Sequence, residues 1–413
     1  MKNHWKAVAA LTVAGTSLSF ATFARVESMG KHDTYFMDDI SVWTNPANSN
    51  IYPNYLMGDL GSLNKAYADQ VALKTAGSSG MSALARYNQD PAAPWFGAVF
   101  AKSLGDEKSA NRYPQITIGG AFNRDDEMLP LLGRNTDSIP VKVDGMLGFA
   151  SSNGMMFGIK GYIAGNDQNK DKGEKSAWLS RYTVGANIPL AQGVDFEVSG
   201  GANYFAYTNK DFKTGGDSLK GASDIGFDAK ARAFISLPAI SGELVPAASF
   251  MTANPLDAEI TDVKAGLGCN VSLDRGFFWI GTDYVYYDAK HALAASDTSS
   301  KGVRVSFGIE RNVWTDWLVL RVGGQKYMKY EETNNTVLNK DGAKVNSNTK
   351  TWVTNPINDG TNNDHVGFGI GINIEDKLKI DATMGEDIVF TGGALLSGPV
   401  DHIFSRISAT YSF

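Results

Sequence analysis

Segments of about ten residues that alternate between apolar and polar side chains recur along most of the chain, and nothing else limits its fold as tightly. From Val194 to Ala206, Val194, Phe196, Val198, Ala202 and Tyr204 alternate with Asp195, Glu197, Ser199, Gly201 and Asn203. The segment from Ile225 sets Phe227, Ala229, Ala231, Ala233 and Ile235 against Asp228, Lys230 and Arg232. Val303, Val305, Phe307 and Ile309 likewise oppose Arg304, Ser306, Gly308 and Glu310. Val366, Phe368, Ile370 and Ile372 oppose His365, Gly367, Gly369 and Asn373; Leu378, Ile380, Ala382 and Met384 then oppose Lys377, Lys379, Asp381 and Thr383. A period of two places the two sets on opposite faces of a strand. Similar segments begin near Ile116, Val141, Met155, Trp178, Leu244, Val263, Phe277, Leu318 and Phe404.

A soluble β-sandwich also alternates. Here, however, the apolar face is uniform over many strands, while the other face is rich in glycine and in charges of both signs. Lipid demands the first face, and a watery or ion-paired lumen accepts the second. Connections read back from the C-terminus alternate between long (385–403, 329–364, 288–301, 252–260, 207–224, 164–177, 124–140) and short (375–376, 312–316, 272–275, 238–242, 189–193, 151–154). Membrane barrels have long loops on the outside and short turns on the periplasmic side. The expected fold is all-β: a closed antiparallel transmembrane β-barrel of 14 or 16 strands, both mature termini periplasmic. Fourteen strands are counted from Ile116; Trp95 to Phe100 adds another, paired with Ile51 to Gly58, although Pro53 lacks a ladder donor. Aromatics gather at strand ends, among them Trp178 and Tyr182, Tyr204 and Tyr207, and Trp314 and Trp317, at the level of a lipid headgroup belt.

The 413 residues are 43% hydrophobic and 20% charged, too polar for a bundle of membrane helices. After residue 24 no apolar run approaches the roughly 18–20 residues such a helix needs. Lys2 and Lys6 precede an uncharged stretch, 7–24, with small residues at Ala21 and Ala24. This pattern is that of a secretory signal peptide cleaved after one of those alanines. Its removal takes two lysines and no acid, moving the net charge from −6 to −8. That acidity disfavours a nucleic-acid partner. Cys269 is the only cysteine, so an internal disulfide is excluded, and no lipid-attachment cysteine follows the signal. The chain divides into a signal peptide (1–24), an N-terminal segment with a first strand (25–94) and the barrel (95–413).

In the terminal segment, Ile407, Ala409, Tyr411 and Phe413 share one face and Arg406, Ser408, Thr410 and Ser412 the other. A chain ending on such a strand with a final aromatic resembles the closing strand of bacterial outer-membrane β-barrels. The resemblance implies an outer-membrane location, lipid and the barrel-assembly machinery as partners, and Tyr411 with Phe413 as the assembly signal. Nearer the N-terminus, the run from Asp38 to Ala47 ends in Asn45-Pro46-Ala47. This stretch resembles the signature of FadL-type outer-membrane transporters for hydrophobic compounds, a family that includes secretion-associated PorV-like proteins. The resemblance implies a hatch inside the barrel. Asn45 can bond its own turn, Pro46 fixes φ and Ala47 permits close backbone packing. Residues 59–94 read as a long loop with a short helix around Leu63 to Leu73.

No enzymatic site is expected. The histidines are His4, His32, His291, His365 and His402. Asp364-His365 and Asp401-His402 are sequence neighbours whose side chains point apart on a strand, and nothing near them forms a nucleophile elbow. No Cys/His spacing suits zinc. The oxygen-rich stretches 167–174 and 358–364 lack the glycine or glutamate placement of a calcium loop, so no cofactor or metal is expected. The inward charges are the functional candidates: Asp195, Glu197, Asp228, Lys230, Arg232, Arg304, Glu310, Arg321, Lys377, Lys379, Asp381 and Arg406. Opposed acidic and basic walls would orient a solute; mutual pairs would fill the lumen. The expected work is passive passage of small solutes, hydrophobic ones if the FadL-type resemblance holds. The alternative is a non-conducting docking barrel.

Overall fold

The computed structural model of the chain describes residues 22–62, 93–105, 113–132, 139–170, 173–211, 217–222, 225–255, 258–291, 296–338, 344–353, 365–375, 377–384 and 404–413. The expected signal peptide up to Ala21, the short helix around Leu63 to Leu73 and the stretch 358–364 lie outside the described residues. The first strands are β1 (Tyr55–Ser62), β2 (Trp95–Ser103), β3 (Gln115–Phe122), β4 (Val141–Ala150), β5 (Met156–Lys170) and β6 (Gly173–Ala191). Next come β7 (Val194–Asp211), β8 (Asp217–Ala222), β9 (Gly226–Leu237), β10 (Gly242–Ala253), β11 (Ala258–Leu273) and β12 (Gly276–His291). The series ends with β13 (Ser296–Asn312), β14 (Leu318–Leu338), β15 (Lys344–Val353), β16 (His365–Ile374), β17 (Leu378–Met384) and β18 (Phe404–Ser412).

Sixteen of these strands close a barrel by antiparallel neighbour pairing, with β7 joined to β9, β14 to β16 and β18 back to β1. The remaining two, β8 and β15, pair with the far ends of β7 and β14. Closure leaves the wall no edge and satisfies its backbone between strands, as hydrocarbon requires. Along β4, Lys142, Asp144, Met146 and Ala150 are buried while Val141, Val143, Leu147 and Phe149 are exposed. Phe122, Ile159, Val184 and Phe227 are among the apolar side chains standing outward around the wall. A closed wall with an apolar girdle and a charged inner face is a transmembrane barrel.

Several expected loops are strands. β5 and β6 stay paired out to Lys170 and Gly173, and β14 pairs β15 from Lys329 to Leu338. Beyond the hydrocarbon both faces meet water, so the side-chain pattern fades while the hydrogen-bonded ladder continues. The first strand begins at Tyr55 rather than near Ile51, because Ile51 closes a 3-10 turn and Pro53 has no N–H to pair. The parity of β7 runs unbroken, so Tyr204 faces outward but Tyr207 is buried inside the barrel instead of joining the belt.

Residues 22–54 lie within the lumen. The helix α1 (Phe23–Ser28) packs on β14, β16, β17 and β18, while the 3-10 turn Pro46–Asn50 packs on β3, β4, β5 and β6. A segment touching opposite sides of a closed wall is inside it. Local chemistry shapes each piece. Thr22 caps α1, the Asp38 carboxylate accepts from the Ile40 N–H at 3.0 Å, and the Asn45 side chain accepts from the Ala47 N–H at 3.1 Å with Pro46 in the first helical position. Gly30 (φ +101°) turns the chain after α1. The glycines of the inner face make the seat: a side chain at Gly158 would strike Pro46, and one at Gly369 would strike Ser28. Tyr35, Phe36, Trp43, Tyr52 and Trp279 build an apolar core between this segment and the wall.

Candidate functional site

A second element enters the barrel from the long-hairpin end. After β3, Asn123 takes a left-handed conformation (φ 63°) and the chain folds inward. The Asp126 side chain accepts from the Met128 N–H at 3.1 Å, and Leu129–Leu132 forms a 3-10 turn. Met128 and Leu132 then bury against Tyr162, Leu179, Phe205 and Tyr207 of the wall. This loop packs inside the wall toward the long-hairpin rim, and the N-terminal segment lies toward the other.

Ion pairs fasten both. On the loop side, Arg124 reaches Asp144 at 2.7 Å and Asp126 at 3.3 Å. Arg181 grips Asp126 at 2.9 Å, Glu127 at 2.8 Å and Asp228 at 2.7 Å. Lys160 lies 3.6 Å from Asp126 and donates to the Trp43 carbonyl, tying loop, wall and N-terminal segment together. Burial alone would raise the Asp126 carboxyl. Arg181, Lys160 and Arg124, with the Met128 N–H, overcome it and hold the group well below the usual carboxylate range. On the N-terminal side, Arg25 bonds Glu310 at 2.6 Å and Asp38 at 2.7 Å, while Arg321 bridges Glu310 (2.5 Å) and Asp381 (2.6 Å). The Thr22 hydroxyl donates to Asp381 at 3.0 Å.

The other residues singled out from sequence fall as follows. Glu197 pairs with Arg232 at 2.8 Å, and Arg232 also donates to the Asp33 carbonyl at 2.6 Å. Asp195 sits two residues away on the same inner face, half-buried. Lys230 pairs with Glu127 at 2.7 Å, and Arg304 with Asp283 at 2.7 Å, where the Tyr35 hydroxyl also donates. Arg406 bonds Asp59 at 2.8 Å, and Lys379 is buried on the inner face of β17. Lys377 corrects the expectation: it is exposed in the turn before β17, because the strand begins only at Leu378. The Asn45 amide donates to Asn187 at 2.8 Å, Pro46 packs on Gly158, and Ala47 is fully buried. Tyr411 faces outward, and the Phe413 N–H donates to the Asn54 carbonyl at 3.1 Å, with its ring 5.6 Å from Phe100. The His365 ring bonds the Glu27 carbonyl at 2.6 Å, a fastening role. Among the described residues no group of three His, Cys, Asp or Glu could hold a metal.

Sequence reasoning missed Arg25, Asp38, Asp59, Arg124, Asp126, Asp144, Lys160, Arg181 and Asp283. Parity within the expected strands already turns Asp144, Lys160, Arg181 and Asp283 inward. The loop and N-terminal members carry no such signal.

The N-terminal segment and the inward loop both line a cavity of about 850 Å³. Arg124, Arg181, Arg232, Lys264, Arg304 and Lys329 line it with a matching set of carboxylates, and Met128, Leu131, Ile260 and Val285 add an apolar patch. Such a chamber suits a small solute bearing polar groups.

No known family model matches the chain, and no curated protein matches it. Among solved structures, CdiB from Escherichia coli is similar at 9% identity and TM-score 0.41 over 87% of this chain. The match takes in 63% of CdiB, less than two thirds of its length. The TodX monoaromatic hydrocarbon channel is similar in two mutant forms, both covering 95% of this chain and 99% of theirs. They are deltaS2S3 at 12% identity and TM-score 0.40, and deltaS2 at 9% and 0.41. At these identities and scores, no function passes from those proteins to this one.

Proposed function

We propose that this chain is an outer-membrane β-barrel through which small solutes pass without energy input. Residues 22–54 act as a hatch toward the periplasm, and the loop 123–132 as the closure facing outward. The observation that carries the reading is the cavity of about 850 Å³ lined by both segments. Short turns at one rim and long hairpins at the other support a periplasmic placement of both termini. The outward Tyr411 and terminal Phe413 serve the barrel-assembly machinery on this reading. The charged lining favours polar solutes over hydrocarbons, and the chain catalyses no reaction.

Planar-bilayer recording tests this directly. The full chain is expected to give small, discrete conductance steps. A variant lacking residues 25–50 is expected to give larger ones, since the hatch is gone while β1 and the signal remain. Absence of any conductance in both would end the channel reading. A specific observation favours a second role: the buried Arg25–Glu310 ion pair, with the bonds Thr22 to Asp381, Asn45 to Asn187 and Arg232 to the Asp33 carbonyl, fastens the N-terminal segment to the wall at several points. A permanently closed barrel that docks a partner would need such fastening. It predicts no current from the full chain and a large current from the deletion variant.

A further inference from the structure

Strand register aligns charges that the sequence leaves scattered. Across the wall from β9 to β14, Asp228 lies opposite Met251, Met251 opposite Asp262, Asp262 opposite Tyr287, Tyr287 opposite Ser300, and Ser300 opposite Glu331. One step deeper, the row runs Lys230, Ser249, Lys264, Val285, Gly302, Lys329. Both rows face the cavity, and all six charged members line it. The acid row is nearer the long-hairpin rim, because β9 and β11 run inward from that rim and β14 runs out to it. Two strand residues separate the rows, roughly 7 Å at about 3.3 Å per residue.

Asp228 and Lys230 also hold the inward loop, through Arg181 and Glu127, but the other four charges differ from the fastenings around them. Among the described residues, Lys264 forms an ion pair with Asp262 alone, on its own strand at 2.8 Å, and Lys329 with Glu331 alone, on its own strand at 3.3 Å. The Lys264 side chain is 35% exposed and that of Lys230 34%, while Lys329 and Glu331 are half-buried at 15% and 14%. A pair as open as Lys264–Asp262 holds together weakly and exchanges partners at little cost, and Lys329–Glu331 is a single contact within one strand. A solute with one net charge is attracted by one row and repelled by the other. A dipolar solute whose charges stand about two strand residues apart satisfies both. It replaces the same-strand pairs with its own, and its carbon chain lies along Met251, Tyr287 and Val285, which line the cavity between them.

We propose that the cavity binds a small zwitterion, its anionic group on the row Lys230–Lys264–Lys329 and its cationic group on the row Asp262–Glu331. This rests on reading the cavity as the solute's site. The test is calorimetric titration of the full chain, folded in detergent micelles and checked by heat-modifiable migration, with 5-aminopentanoate, pentanoate and pentylammonium. The zwitterion is expected to bind at least about tenfold more tightly than either single-charge analogue. The double variant Lys264→Gln with Lys329→Gln is expected to erase that preference while migrating as a folded barrel. Exchanging Asp262→Lys with Lys264→Asp keeps an ion pair but inverts the rows locally, and is expected to weaken the zwitterion likewise. Equal binding of pentanoate or of pentylammonium, no binding of any probe at millimolar concentration, or a preference surviving both variants overturns the proposal. Bilayer recording separates the two readings. Current without zwitterion preference leaves passage standing and removes this inference; binding to a barrel that carries no current does the reverse.

Discussion

Two sets of charges line one chamber and are built differently. Around Arg181, every charged group except Glu127 is buried, and the guanidinium holds three carboxylates from loop and wall at once. Along Lys264 and Lys329 each ammonium has, among the described residues, a single ion-pair partner two residues away on its own strand; Lys264 is one-third exposed and Lys329 half-buried. Buried multivalent pairs cannot exchange, because losing one partner strands a charge in low dielectric. Partly solvated pairs can, because water replaces what is lost. Composition alone does not distinguish the two sets; partner number and burial do. The first set holds the closure, and the second remains available to a guest.

The largest effect that would break this contrast concerns Arg181. Replacing Arg181→Met leaves Asp126 and Asp228 buried without their main partner, and the loss is expected to be about 3–5 kcal/mol. The loop should leave the lumen, so bilayer steps should grow. Urea unfolding in micelles and single-channel recording read the two outcomes. A stability change below about 1 kcal/mol, of the size of an exposed pair, would place Arg181 with the lysine rows and erase the distinction.

The next effect tests the opposite closure through shape alone. Gly158→Val fits a strand but drives a side chain into Pro46, and overpacking of this kind costs about 1–3 kcal/mol. The N-terminal segment is expected to loosen, with faster proteolysis near residues 45–50 and noisier current. Unchanged protease sensitivity would mean that this segment does not depend on its glycine seat.

How much of this was legible follows from where each residue sits. Glu197, Arg232, Arg304 and Glu310 lie in the alternating stretches of their strands, where lipid on one side forces alternation, so their inward direction is written in the pattern. Lys329 lies where β14 leaves the hydrocarbon; the pattern fades there, and the residue reads as loop. Lys377 errs the other way, since parity extrapolates past the strand's end into a turn. Arg124 and Asp126 belong to a loop whose inward fold depends on contacts with Tyr162, Leu179 and Phe205, all distant in sequence. Even for a residue of known direction such as Lys230, its alignment with Lys264 and Lys329 needs the register between strands, which periodicity alone does not fix.

Acidity offers a smaller effect that sharpens the contrast. Asp126 is surrounded by Arg181 from β6, Lys160 from β5 and Arg124 from the loop, with Asp144, Asp228 and Glu127 as the other acids of the network. Its folded pKa lies below the unfolded value of about 3.9. The stabilisation is therefore fully present above that value and is lost only as pH falls through the lower, folded one. Unfolding midpoints and step sizes are expected to stay level from about pH 7 to 5 and to change only in stronger acid. Opening of the closure near pH 5 would show that the carboxylate is held less firmly than its three cations imply.

The smallest effect on stability is expected at the rows, and that smallness is informative. Lys329→Gln removes one half of a half-buried same-strand pair, and the change should lie well below that of Arg181→Met, which strands two buried carboxylates. Its effect on permeant ions should be larger than its effect on folding. Loss of a cation from the wall weakens attraction for anions, so the reversal potential in a salt gradient should shift toward cation selectivity. Glu331→Gln removes the other half and should shift it the opposite way at equal stability cost. Opposite shifts from two partners of one pair separate a wall that orients solutes from one that only fills space. If both variants unfold early with no change in selectivity, Lys329 and Glu331 belong with the fastenings, and the chamber has only one kind of charge.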